Sequence, residues 1–187
     1  MTRRTLALLL GSAIAVLMIA GVLLFKPWLL FVDVRVDDAL PPTTTAQPTT
    51  TAQPTPPTPS ATSTPSPTAP REVSAGSFTS HEHDTSGSVR IVQQPDGSRV
   101  LAIENLATSN GPDVHVWLSA SDVIEGIDGW YAAGGADHLD LGMLKGNLGN
   151  QVYEIPAELD LSLYPSVDLW CEQFGVSFGA AQLAQST

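Results

Sequence analysis

The chain has a single cysteine, Cys171, in 187 residues. No intrachain disulfide is possible, and neither is any paired-thiol redox motif or cysteine-rich metal knuckle. Positive charge is almost as scarce: eight Lys and Arg stand against nineteen Asp and Glu, for a formal net charge of −11. Beyond residue 70 the only basic residues are Arg71, Arg90, Arg99 and Lys145, against sixteen acids from Glu72 to Glu172. A surface so poor in cations cannot neutralise phosphates, which excludes nucleic acid as a partner. There is no H-E-x-x-H, no phosphate-binding loop and no C-x-x-C-H, which removes zincin, nucleotide-loop and covalent-haem chemistries.

One long hydrophobic run is present. Leu6 to Phe25 is uncharged and apolar, and about 20 residues at about 1.5 Å each match a hydrocarbon core about 30 Å thick. A cleaved signal peptide is the competing reading. The run exceeds the usual h-region of about 7–15 residues, however, and Lys26-Pro27-Trp28 follows it in place of a small-residue cleavage site. The expectation is a single-pass signal-anchor through residues 6–25 of a cell membrane, with Arg3 and Arg4 on the cytoplasmic side and the C-terminal part extracytoplasmic. Residues 1–38 then form the cytoplasmic start, anchor and juxtamembrane segment.

Residues 39–70 contain no charge and consist almost wholly of Pro, Thr, Ser, Ala and Gln, with TTTAQP repeated at Thr43–Pro48 and Thr49–Pro54. Such a stretch buries too little apolar surface to offset its ordering entropy. It reads as a disordered, semi-rigid Pro-rich linker, a stalk suited to O-glycosylation.

Residues 71–187 form the one part able to fold. Period-two alternation predicts strands at Ser88–Val92, Val100–Asn105, Asp113–Ser119, Gln151–Ile155 and Val167–Cys171. Turn signals lie between them at Pro95-Asp96-Gly97, Asn110-Gly111-Pro112 and Gly149-Asn150. The expected fold is all-β, an antiparallel β-sandwich or barrel-like domain.

Alternation over Val167–Cys171 puts Val167, Leu169 and Cys171 on one face and Asp168, Trp170 and Glu172 on the other. Cys171, between neighbours Trp170 and Phe174 and before the tight Gly175–Gly179 segment, is either a packed hydrophobe or a redox thiol. His81 and His83, two residues apart, form a weak metal candidate, with an exposed polar loop as the plainer reading. His115 faces away from Val114 and Val116. Asp113, Asp122, Glu125, Asp128, Asp137 and Asp140 form an acidic set that calcium would suit, although no EF-hand loop is present. Trp117, Trp130, Tyr131 and Tyr153 would line a recognition surface if the domain bound protein or glycan, and the Lys145–Asn150 loop reads as a structural turn.

Four segments in order carry a family resemblance. They are Gly76-Ser77-Phe78 with His83 and Ser86-Gly87; Gly111-Pro112-Asp113-Val114 into Val116-Trp117-Leu118-Ser119; Leu141-Gly142-Met143-Leu144-Lys145-Gly146-Asn147-Leu148-Gly149-Asn150-Gln151-Val152-Tyr153-Glu154-Ile155-Pro156; and Trp170-Cys171-Glu172-Gln173-Phe174 with Val176-Ser177-Phe178-Gly179. Together they resemble the DM-thirteen domain, a DOMON-associated extracytoplasmic β module. The resemblance implies electron transfer through one cysteine, here Cys171, as a bare thiol or a haem ligand, with a redox partner protein or envelope component. It implies electron transfer or binding more than enzymatic turnover. The alternative is a non-catalytic surface protein- or glycan-binding, envelope-associated module in which Cys171 is a buried core residue.

Overall fold

A computed structural model describes residues 3–42 and 69–186, with the side chains of residues 3–8, 30 and 31 left out. Most of the expected stalk, residues 43–68, lies outside the described residues.

Helix α1 (Arg3–Phe25) leads through Lys26, at φ 43°, into a 3-10 turn at Pro27–Phe31. Among the described residues no helix is long and apolar enough to cross a membrane. The expected transmembrane anchor is thus not a structural finding. What the described part does show is exposed apolar side chains along its length, from Leu9 and Leu10 through Leu17 and Met18 to Phe25.

Ten strands follow: β1 (Arg35–Asp37), β2 (Arg71–Ser80), β3 (Ser86–Gln93), β4 (Arg99–Ala107), β5 (Val114–Ser119), β6 (His138–Met143), β7 (Leu148–Ile155), β8 (Ser166–Cys171), β9 (Val176–Gln182) and β10 (Ala184–Gln185). They form one sheet in the order β1-β7-β4-β3-β2-β9-β8-β5-β6, with β10 on β2. The ten-residue β2 joins the two halves, because residues 71–77 pair with β3 while Phe78–Ser80 pair with β9. The expected β-rich fold is present, as a single curled half-barrel in place of two separate sheets. All pairings are antiparallel except β1 with β7.

The concave side holds the core. Val89 and Ile91 of β3, Leu101 and Ile103 of β4, Val114, Val116 and Leu118 of β5, and Val167 and Leu169 of β8 are all buried there. Each such side chain contributes about 1.5–3 kcal/mol by leaving water. All five predicted strands form, each within a few residues of its expected limits. Strands β2 and β9 lie outside the expected set because Gly, Ser and Ala interrupt their alternation, and the short β6 lies outside it although His138-Leu139-Asp140-Leu141 alternates.

Strand β1 lies outside the expected domain. Arg35–Asp37 pairs with Leu148–Asn150. The Pro41 carbonyl accepts from Arg90 Nη2 at 3.0 Å, and Arg71 beyond the linker pairs with Gln93 three residues along the same strand. Both flanks of segment 43–68 are therefore fixed on one half of the sheet. Residues 26–34 separate α1 from β1.

The K-G-N-x-G-N-Q run, expected to be a structural turn, forms the clasp for β1. Asn147 Oδ1 accepts the Val34 N–H at 2.7 Å, and its Nδ2 donates to the Thr108 carbonyl and Asp33 Oδ1, both at 2.9 Å. Lys145 Nζ reaches Asp38 Oδ2 at 2.6 Å, and together with the Val152 N–H it lowers the Asp38 pKa. Gly149, expected in a turn, lies inside β7 at φ +100°, where a Cβ would stand 2.0 Å from the Val36 carbonyl oxygen. Only glycine allows β1 that close.

Asn147 is buried with all its polar atoms used, so Asn147→Ala is expected to cost roughly 1–3 kcal/mol. Lys145→Met removes a half-exposed ion pair and a hydrogen bond to the Val152 carbonyl and is expected to cost about 1 kcal/mol or less. Urea unfolding of the full chain checks the ranking, and an Asn147→Ala loss no larger than that of Lys145→Met would contradict the clasp.

Candidate functional site

Cys171 ends β8, directly opposite Val114 of β5 and Val176 of β9. Its side chain has 0 % exposure and belongs to the main core with Val167 and Leu169. Burial pushes the thiol pKa above its ordinary value, and backbone groups of Phe174, Gln173 and Asp113 only partly oppose this. The group is a neutral, sealed thiol, the opposite of the exposed thiolate that nucleophilic or metal-binding cysteines present. Its aromatic neighbours do not enclose it: Trp170 turns to the convex face, and Phe174 is exposed at the β8–β9 turn, stacked 6.1 Å from Phe25 of α1.

Haem does not fit this arrangement. Thiolate ligation needs a sulfur facing a cavity wide enough for the macrocycle. Cys171 faces packed aliphatic side chains and lines none of five well-formed clefts among the described residues.

The convex face of β6-β5-β8 gathers different chemistry. Trp117 pairs in register with Asp168, and His115 with Trp170. Trp117 and Trp170 stack with ring centroids 5.1 Å apart, and the exposed His138 ring lies 3.6 Å from Trp117 at 9°. The segment Gly129–Gly135 covers the pair, with Ala133 packed into their cluster. A Cβ on Gly134 would come within 2.5 Å of the Trp170 ring, so the backbone lies against the indole. A continuous run of three π systems thus leads from the residue before Cys171 to solvent.

Beneath this run is a buried polar chain. Asp168 is 3 % exposed, with Oδ1 unpartnered; burial raises its pKa to about 7, and a hydrogen bond from Ser177 works against that rise. The Ser177 Oγ also meets His81 Nδ1 at 2.7 Å, and burial lowers the His81 pKa. One sequence signal here lies outside the expectations above: Gly175-Val176-Ser177-Phe178-Gly179 fits G-x-S-x-G. The fold does not make a hydrolase of it. The pattern works at a sharp strand-to-helix turn with an exposed serine, whereas Ser177 lies inside β9 with 0 % exposure. The carboxyl also engages the serine and not the histidine, which breaks the order a triad needs.

The metal pair His81 and His83 is not formed. Both lie in the bend after β2, where His81 turns inward to Ser177 while His83 pairs with Glu82 at 2.6 Å and packs 3.9 Å from the Phe178 ring. His115 instead gathers acids. Its Nδ1 lies 2.9 Å from Asp140 Oδ2 and its Nε2 3.3 Å from Asp113 Oδ1. Burial works to lower the His115 pKa, but Asp140, with Asp113 and Glu172, more than reverses this and raises it. Asp122, Glu125, Asp128 and Asp137 of the expected calcium set join no ligating group of three among the described residues. The expected recognition aromatics do not make a surface either: Trp117 and Tyr153 are buried, Trp130 is half-buried, and Tyr131 alone is exposed.

Asp168 sets a pH dependence. Its folded pKa lies above the unfolded value, so it favours folding fully only below about pH 4, and that contribution declines as pH rises to about 7. The maximum loss is about 4 kcal/mol. His81 acts in the other direction, withdrawing stability as pH falls below its ordinary 6.5. Asp168→Asn is therefore expected to be more stable than the parent chain at pH 8, with the advantage fading towards pH 4. Denaturant unfolding at both pH values checks this; equal gaps at the two would refute the buried-carboxyl assignment.

No curated protein and no solved structure matches the chain. A family model described as Electron transfer DM13 matches residues 77–183, from within β2 to just past β9. That span covers more than half of the sequence and includes the clasp, the tryptophan pair and Cys171, and the chain belongs to the Electron transfer DM13 family.

Proposed function

We propose that this protein is an extracytoplasmic electron-transfer module, held at a membrane by residues 6–25, whose conducting element is the Trp170–Trp117–His138 stack. The observation that carries the reading is the stack itself. Indoles are among the most easily oxidised side chains, and two in stacking contact, capped by a solvent-exposed imidazole, give an electron a short route across the convex face.

Cys171 enters as a bare thiol at the inner end. In the oxidising direction Trp117 gives an electron to a one-electron oxidant on a partner protein docked at His138. Trp170 refills Trp117. Cys171 refills Trp170 in step with local opening at the end of β8, which lets its thiol proton leave to water, and a sulfur-centred radical remains. With no second cysteine in the chain, that radical cannot end in an intrachain disulfide, so the cycle closes when the partner returns an electron. No substrate is turned over.

The anchor rests on the uncharged run Leu6–Phe25 and on the exposed apolar side chains of α1, a surface that water does not favour. Its test is alkaline carbonate extraction of membranes carrying the full chain: retention in the pellet is expected, and release into the wash would contradict it.

Photochemical one-electron oxidation of the full chain, followed by transient absorption, tests the conducting path. A tryptophanyl radical is expected in the parent chain, a longer-lived one in Cys171→Ser, and a much smaller yield in Trp117→Phe. Identical radical decay in the parent chain and Cys171→Ser would remove the thiol from the path, and an unchanged yield in Trp117→Phe would remove the stack.

A further inference from the structure

We infer that Asp113, His115 and Glu172 form a binding site for one divalent first-row transition ion on the convex face, with Asp140 as the residue that orients His115. Strand geometry brings the set together. Asp113, just before β5, and His115 within it are two apart, so the pleat puts both side chains on one side. Glu172 follows β8, and its N–H donates to the Asp113 carbonyl at 2.9 Å, which sets the two acids directly opposite each other. One ligand atom from each of the three lies within 4.8 Å of the other two.

The spacing suits a metal. Two ligands held about 2.0–2.1 Å from a tetrahedral ion stand about 3.3 Å apart, and His115 Nε2 stands 3.3 Å from Asp113 Oδ1. Glu172 is exposed, with the side-chain freedom to close the third position. Asp140, 2.9 Å from His115 Nδ1, fixes that nitrogen as the donor and leaves Nε2 free to ligate, the carboxylate–histidine–metal arrangement of known sites. Like charges opposed across strands are destabilising, and a cation between Asp113 and Glu172 turns that repulsion into coordination. Three protein ligands leave an open coordination position. The mixed N,O donor set favours transition ions over calcium, which takes six to eight oxygens. Cys171 is not a ligand, because its sulfur lies on the other side of the sheet.

The inference is independent of the electron-transfer reading, since a redox-silent ion tests it. The experiment is isothermal titration of the full chain in detergent with Zn²⁺ alone, with circular dichroism confirming that each variant is folded. One equivalent is expected to bind. Asp140→Asn is expected to weaken binding about 10–100-fold, and His115→Gln and the exposed, near-isosteric Glu172→Gln more than that. The site is overturned if the parent chain binds no zinc, if His115→Gln binds as well as the parent, which would put the ion at His81, His83 or His138, or if every variant takes up several weak equivalents alike.

Discussion

The pairing of β5 with β8 is the constraint on which the rest depends. Val114 lies opposite Cys171, His115 opposite Trp170 and Trp117 opposite Asp168. This register sends the sulfur and the valines into the core, and sends the tryptophans, the histidine and the acids to the convex face. Because side chains alternate with a period of two, a slip of one residue would exchange the two sets. It would bury His115 among aliphatic side chains and bring Cys171 to the surface. Burial of Val116, Leu118, Val167 and Leu169 in the core holds the register, so packing energy and the chemistry of the outer face are fixed by the same contacts.

The β1 edge of the other half is held by polar contacts, while β3, β4 and β7 share the apolar core. The run Lys145–Gln151 captures β1 through Asn147, Lys145 and the bare backbone at Gly146 and Gly149. Gln151 Oε1 accepts from the Lys145 N–H and the Tyr153 hydroxyl, while its Nε2 donates to the Gly146 carbonyl, so the loop is fixed from inside. The most recognisable motif of the domain thus does structural work on a strand that precedes the family match. It also places the domain within a few residues of α1, where Phe174 of the β8–β9 turn meets Phe25.

Much of this was legible in the residues. Alternation located β3, β4, β5, β7 and β8, and it assigned Cys171 to the inner face and His115 to the outer. The W-C-x-x-F and K-G-N-x-G-N-Q segments carried the family. Other features were not legible because they depend on contacts distant in sequence. Strand β1 is three residues of unremarkable composition, stabilised by Asn147 more than 100 positions away. Asp168 and His81 are drawn to Ser177 only by the curl of the sheet through β2 and β9. Trp117 and Trp170 are 53 positions apart and become partners through the strand register alone. The density of acids in the sequence suggests a calcium set but does not show that Asp113 is matched with Glu172 across two strands.

The measurement that tests the account most directly is the reaction of the Cys171 thiol with Ellman's reagent, in the native full chain and again in denaturant. The β5–β8 register predicts a silent thiol in the native protein and one equivalent released on unfolding. Rapid stoichiometric reaction of the native protein would contradict it, placing the sulfur on the accessible face and the tryptophan stack in the core.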